Sequence, residues 1–142
     1  MFDHKVEKIL QKVKHAMTNQ ANTINLFQRI VPCESKEKTR CITEILSLLT
    51  DYQGAAHTLH LDLRENDLSI ENIKSLAQYN GSRIEVDLSS NYLVIRSEAD
   101  EQIWQAIARN PCLNLTPGWQ QPVNARADVL RRGSKGEADS HK

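Results

Sequence analysis

No run in this 142-residue chain approaches transmembrane length, neither sign of charge is in excess, and cysteine is too sparse and irregular to define a site. Each absence removes a class of function. The 18 basic residues balance 18 acidic ones, so the chain as a whole lacks the field that draws proteins to nucleic acid or anionic membrane. Cys33, Cys41 and Cys112 are odd in number and form no CxxC pair, which indicates neither a zinc site nor a disulfide framework. No Gly-rich phosphate loop, HExxH or GxSxG motif occurs, so no metal, cofactor or catalytic residue is expected. The N-terminal stretch MFDHKVEKILQKVKHAM interleaves lysines with apolar residues and lacks the continuous apolar core of a secretory signal. A chain that is cytoplasmic where it is synthesised is the expectation.

What is present is ordinary globular composition, 39% hydrophobic and 25% charged, in a length that suits one domain with its own core. Phe2, Val6, Ile9, Leu10, Val13 and Met17 recur at helical spacing and predict an amphipathic helix. Asp3 and Glu7 dilute its lysines and no tryptophan anchors it, which disfavours a membrane-surface helix. Ile24 and Leu26 alternate within a short strand over 23–30 that ends before Pro32. Ser35 is placed to cap a helix over 36–51, whose Cys41, Ile42, Ile45, Leu46, Leu48 and Leu49 form a face wide enough for burial on two sides.

Leu59, Leu61 and Leu63 alternate with His60 and Asp62, the period of a half-covered strand. Ser69 then opens a helix with Ile70, Ile73, Leu76 and Ala77 on one face, stopped by Asn80-Gly81. Ile84, Val86 and Leu88 predict another strand, Ser97 caps a helix carrying Ala99, Ile103, Ala106 and Ile107, and Leu113 and Leu115 suit a last strand. Alternation of strands and helices implies parallel strands with right-handed crossovers. Periodicity vanishes after Pro117, Gly118 and Trp119, and 120–142 reads as a flexible, disordered tail.

The two segments LHLDLRENDL (59–68) and IEVDLSSNYL (84–93) superpose at a fixed step of 25, matching Leu61 with Val86, Asp62 with Asp87, Leu63 with Leu88, Asn66 with Asn91 and Leu68 with Leu93. Such self-similarity marks stacked units that cannot bury their apolar faces singly. The asparagines have a physical role at the strand exit, where an amide side chain can both donate to and accept from backbone that stacking would leave unpaired. These residues resemble the leucine-rich-repeat family, and in particular its ribonuclease-inhibitor-like, helical branch. The family pattern L-x-x-L-x-L-x-x-N-x-L is met at Leu61, Leu63, Asn66 and Leu68 and again at Val86, Leu88, Asn91 and Leu93. Its first leucine is missing both times, replaced by Thr58 and Arg83. The resemblance implies an α/β fold: a short right-handed β/α solenoid with parallel strands. Its single domain would span 1–119, with an N-terminal helical region at 1–51, regular repeats at 58–93 and a C-terminal cap at 97–119.

The family's mode of action implies a non-catalytic module that binds a protein through exposed strand positions, here His60, Asp62 and Arg64, then Glu85, Asp87 and Ser89. Their acidic balance suits a basic partner. Short repeat proteins of this kind also resemble effectors that intracellular bacteria export into host cells, which would act by binding alone. Two other classes compete. A structural or regulatory subunit would dock through the broad face of helix 36–51 or through Trp104 and Trp119. An enzyme would need Cys33, Cys41, Cys112, His57, His60 and Asp62 to assemble a thiol nucleophile, base and orienter, which their spacing does not select. Tail residues Arg126, Arg131, Arg132 and Lys135 alternate with Asp128, Glu137 and Asp139 and lack aromatics for stacking, so nucleic acid is not expected as a partner.

Overall fold

The computed structural model describes residues 4–52, 58–115 and 122–125. His57, Trp119 and nearly all of the 120–142 segment, including Arg126, Arg131, Arg132 and Lys135, lie outside them. The elements run α1 (His4–Thr18), β1 (Thr23–Asn25), α2 (Ser35–Thr50), β2 (Leu59–Asp62), a 3-10 segment (Glu71–Gln78), β3 (Ile84–Asp87), β4 (Val94–Ile95), α3 (Glu98–Arg109), β5 (Leu113–Leu115) and β6 (Val123–Asn124). Four strands form one parallel sheet in the order β1-β2-β3-β5, giving a mixed α/β structure. No helix among the described residues is long and apolar enough to cross a membrane.

Strand register follows the apolar alternation. Leu59 pairs with Ile84, His60 with Glu85, Leu61 with Val86 and Asp62 with Asp87, the same step of 25 that aligns the two segments in sequence. A one-residue slip would turn every buried leucine to solvent. The strand at the N-terminal side belongs to the same stack, because Ile24 lies beside Leu61 and Leu113 beside Ile84. All of these inward residues are buried.

The length between paired strands sets what kind of helix returns the chain. A step of 37 residues from β1 to β2 accommodates the 16-residue α2, and a step of 29 from β3 to β5 the 12-residue α3. The step of 25 leaves eight residues, and these form 3-10 turns that meet at Ile73 (φ −104°, ψ 15°) rather than the α-helix the sequence predicts. A 3-10 helix rises about 2.0 Å per residue against about 1.5 Å, so fewer residues span the same return. Ile70, Ile73 and Leu76 are still buried, as the spacing predicts.

Capping departs from expectation at the 3-10 segment, whose N-cap is Ile70 although the Ser69 Oγ accepts from the Asn72 amide at 3.1 Å, and at α2. Glu34, not Ser35, caps α2, exchanging bonds with Glu37 in a capping box. Ser35 has already entered the helix, and its Oγ and carbonyl accept from Asn72 Nδ2. Ser97 does cap α3, accepting from the Asp100 amide at 3.1 Å. The broad face of α2 is buried between α1 and the 3-10 segment, as its width implies. Gly81 is required by close approach, since a Cβ there would stand 2.8 Å from Thr50 Cα. The two-residue strands β4 and β6 pair in parallel, Val94 with Val123 and Ile95 with Asn124, β6 inside the 120–142 segment read from sequence as a disordered tail.

Candidate functional site

The outward strand face is held by the turns that leave each strand. Asn25, Asp62 and Asp87 occupy equivalent positions, and each side-chain oxygen accepts from the amide two residues on, that of Phe27, Arg64 and Ser89 respectively. The chain then passes through left-handed residues at Gln28, Glu65 and Ser90, with φ of 59°, 55° and 61°. That conformation costs a non-glycine residue energy unless its surroundings enforce it.

Enforcement comes from the buried asparagines. Asn66 is fully buried; its Nδ2 donates to the carbonyls of Leu26, Leu63 and Arg64, and its Oδ1 accepts from the Ile30 and Val31 amides. Asn91 repeats the pattern one unit on, donating to Leu63 and Leu88 carbonyls and accepting from the amides of Asn66 (2.9 Å) and Leu68 (3.1 Å). Each asparagine therefore satisfies the turn of the unit before it. A buried amide left without a partner costs about 1–3 kcal/mol.

Two polar rows cross the face this rigid frame presents. Thr23, His60, Glu85 and Asn114 share one register row, and Asn25, Asp62 and Asp87 the next. His60 Nδ1 pairs with Glu85 Oε1, and Asn114 Nδ2 donates to the other Glu85 oxygen at 3.3 Å. Arg64 grips Asp62 with two parallel bonds, Nε to Oδ1 at 2.9 Å and Nη2 to Oδ2 at 2.8 Å, lies 3.8 Å from Asp87, and stacks over Phe27 at 4.8 Å. Burial pushes the Asp62 carboxyl up, but hydrogen bonds and charge from Arg64 outweigh it, and the net displacement is below the ordinary carboxylate range. These residues surround a shallow depression of about 240 Å³ lined by Thr23, His60, Leu61, Asp62, Arg64, Glu85 and Asp87.

Five of the six residues singled out in the sequence thus converge on one depression. Ser89 stands apart, its amide and carbonyl spent on the turn. Sequence reading missed Thr23, Asn25, Phe27 and Asn114, because β1 and β5 repeat at other spacings than 25. The face read from sequence as mostly acidic has part of that charge neutralised in place by Arg64, which is paired with Asp62 and 3.8 Å from Asp87.

Of the thiol constellation, His57 lies outside the described residues and Cys112 is half-buried. Cys33 and Cys41 are buried, and burial raises both thiols, Cys41 to about 12. After burial, Glu37 raises Cys33 while Lys5 and Lys38 lower it, and Cys33 and Glu44 raise Cys41 while Arg40 lowers it. No group of three or more His, Cys, Asp or Glu among the described residues is arranged to hold a metal ion. Trp104, offered above as a docking residue, is 7% exposed and packs in the core. No protein-family model, curated protein or solved structure matches this chain.

Proposed function

We propose that this chain is a short leucine-rich-repeat-like β/α solenoid that binds a protein partner, without catalysis, through the outward face of β1, β2, β3 and β5. The observation that carries this reading is the Arg64 fork: an arginine bonded twice to Asp62, braced by Asp87 and laid over Phe27 on an otherwise polar sheet face. Such a pre-ordered arginine loses little rotamer freedom when a partner covers it, and arginine is enriched among residues that dominate interface energies. The residues left half-exposed around it, His60, Glu85 and Asp87, give a mixed-charge pattern with acid in the majority, so a partner surface with a basic majority is the complement. The surfaces a helix-docking subunit would use, the wide face of α2 and Trp104, are spent in the core, which favours the sheet face over them.

The test exchanges charges without removing the turn acceptors. In Thr23→Arg/His60→Glu/Glu85→Arg the internal pair at 60 and 85 is reversed but kept, and Asp62 and Asp87 still cap their turns. Loss of the partners that wild type retains, with an unchanged circular-dichroism spectrum, is the expected result. Full retention would exclude this face.

A further inference from the structure

The N-terminal helix carries a cleft of a different character. Lys5, Lys8 and Lys12 lie along one face of α1, spaced three, four and seven residues apart, and with Arg29 and Pro32 they surround a depression of about 220 Å³ floored by Ile9. Its lining is mainly apolar, and the four charged residues around it are all cations, Lys5 also donating to the Pro32 carbonyl at 3.2 Å. Among the described residues no carboxylate lies within ion-pair distance of Lys8, Lys12 or Arg29; Glu7, the acid within α1, is turned to Arg40 of α2 at 3.7 Å. Like charges at four-residue spacing weaken a helix, so the cluster is not explained as a stabilising device.

Arg29 has a positional reason to be there. It occupies, in the first unit, the place that Asn66 and Asn91 hold in the next two, and each of those asparagines exists to satisfy the turn of the preceding unit. Among the described residues α1, not another strand turn, precedes the first unit. The position is thereby released from the buried ladder and is exposed, where it supplies the fourth cation.

We propose that this cap cleft is a second binding site, taking an acidic protein segment in which carboxylates flank one large apolar side chain. The apolar residue fills the depression over Ile9 and Pro32, and the flanking carboxylates meet Lys5, Lys8, Lys12 and Arg29. A flat lipid surface fits less well, because Asp3 and Glu7 dilute the lysines of α1 and no tryptophan anchors it. The site does not depend on the strand-face reading and would stand if that reading failed.

The experiment titrates the full chain with a fluorescein-labelled peptide in which aspartates and glutamates surround a central leucine, read by anisotropy, and with 15N-labelled protein read by amide shifts. Saturable binding with shifts confined to α1 and the 28–32 turn is expected. Binding should weaken by about tenfold or more in Lys8→Glu/Lys12→Glu/Arg29→Glu, whose positions are exposed and whose fold is checked by circular dichroism. The same loss is expected when the peptide carboxylates become amides, and a smaller loss when its leucine becomes serine. Thr23→Arg/His60→Glu/Glu85→Arg should bind the peptide as wild type does. The proposal is overturned by absence of peptide binding, by equal binding to the amide peptide or to the charge-reversed protein, or by association with phosphatidylserine vesicles in place of the peptide.

Discussion

Asn91 places two backbone amides on one side-chain oxygen and returns two carbonyl bonds from its nitrogen, all within the core. Replacing it, or Asn66, by alanine should cost about 1–3 kcal/mol for the strongest unpaired group, whereas Glu65→Ala, on an exposed side chain, should stay within about 0.5 kcal/mol. Urea denaturation of the three variants checks the ranking, and equal effects would contradict the ladder. These two asparagines were legible because they recur at one spacing. Asn72 and Asn110 were not, since neither recurs at that spacing. Asn72 ties the 3-10 segment to Ser35 and Thr39 of α2, and Asn110 donates to the carbonyls of Leu76 and Tyr79 at its other end. At Asp62 the folded-state pKa is depressed, so its contribution to stability is present above the unfolded value of about 3.9 and is lost as pH falls through the folded value. Arg64→Met leaves burial as the main influence, and the Asp62 carboxyl should then titrate at higher pH in a 13C NMR experiment.

Strands and α-helices were readable because each repeats one physical pattern over enough residues to exceed chance. Period-two leucines located β2 and β3, and the 25-residue step gave their register. Leu61→Asp or Leu88→Asp would put an unpaired charge at a position 1% exposed, at a cost of several kcal/mol against a total stability of about 5–15 kcal/mol. Loss of the cooperative thermal transition is the expected outcome, and wild-type melting would reject the stacked core. The 3-10 segment was not readable as such, because its apolar spacing suits an α-helix and only the distance back to the next strand forbids one. β4 and β6 were invisible for another reason: two residues contain no period. Asn72→Ala should destabilise by about 1–3 kcal/mol and more than Ser69→Ala, since Asn72 is buried and also holds α2; chemical denaturation measures both.

For the molecule as a whole, a net charge of zero conceals an uneven distribution of charge over its surface. The sheet face has an acidic majority braced around Arg64, and the N-terminal cap gathers four cations over an apolar floor. Composition alone shows neither, because the sum cancels and because Thr23, Arg29 and Asn114 join their sites only through the order β1-β2-β3-β5 and the packing of α1. Binding through the sheet face is the central claim, and a pull-down run in parallel with wild type, the Thr23→Arg/His60→Glu/Glu85→Arg variant and the Lys8→Glu/Lys12→Glu/Arg29→Glu variant tests it most directly. Partners held by wild type and by the cap variant but lost from the sheet-face variant are the predicted result; retention of every partner by the sheet-face variant would contradict it.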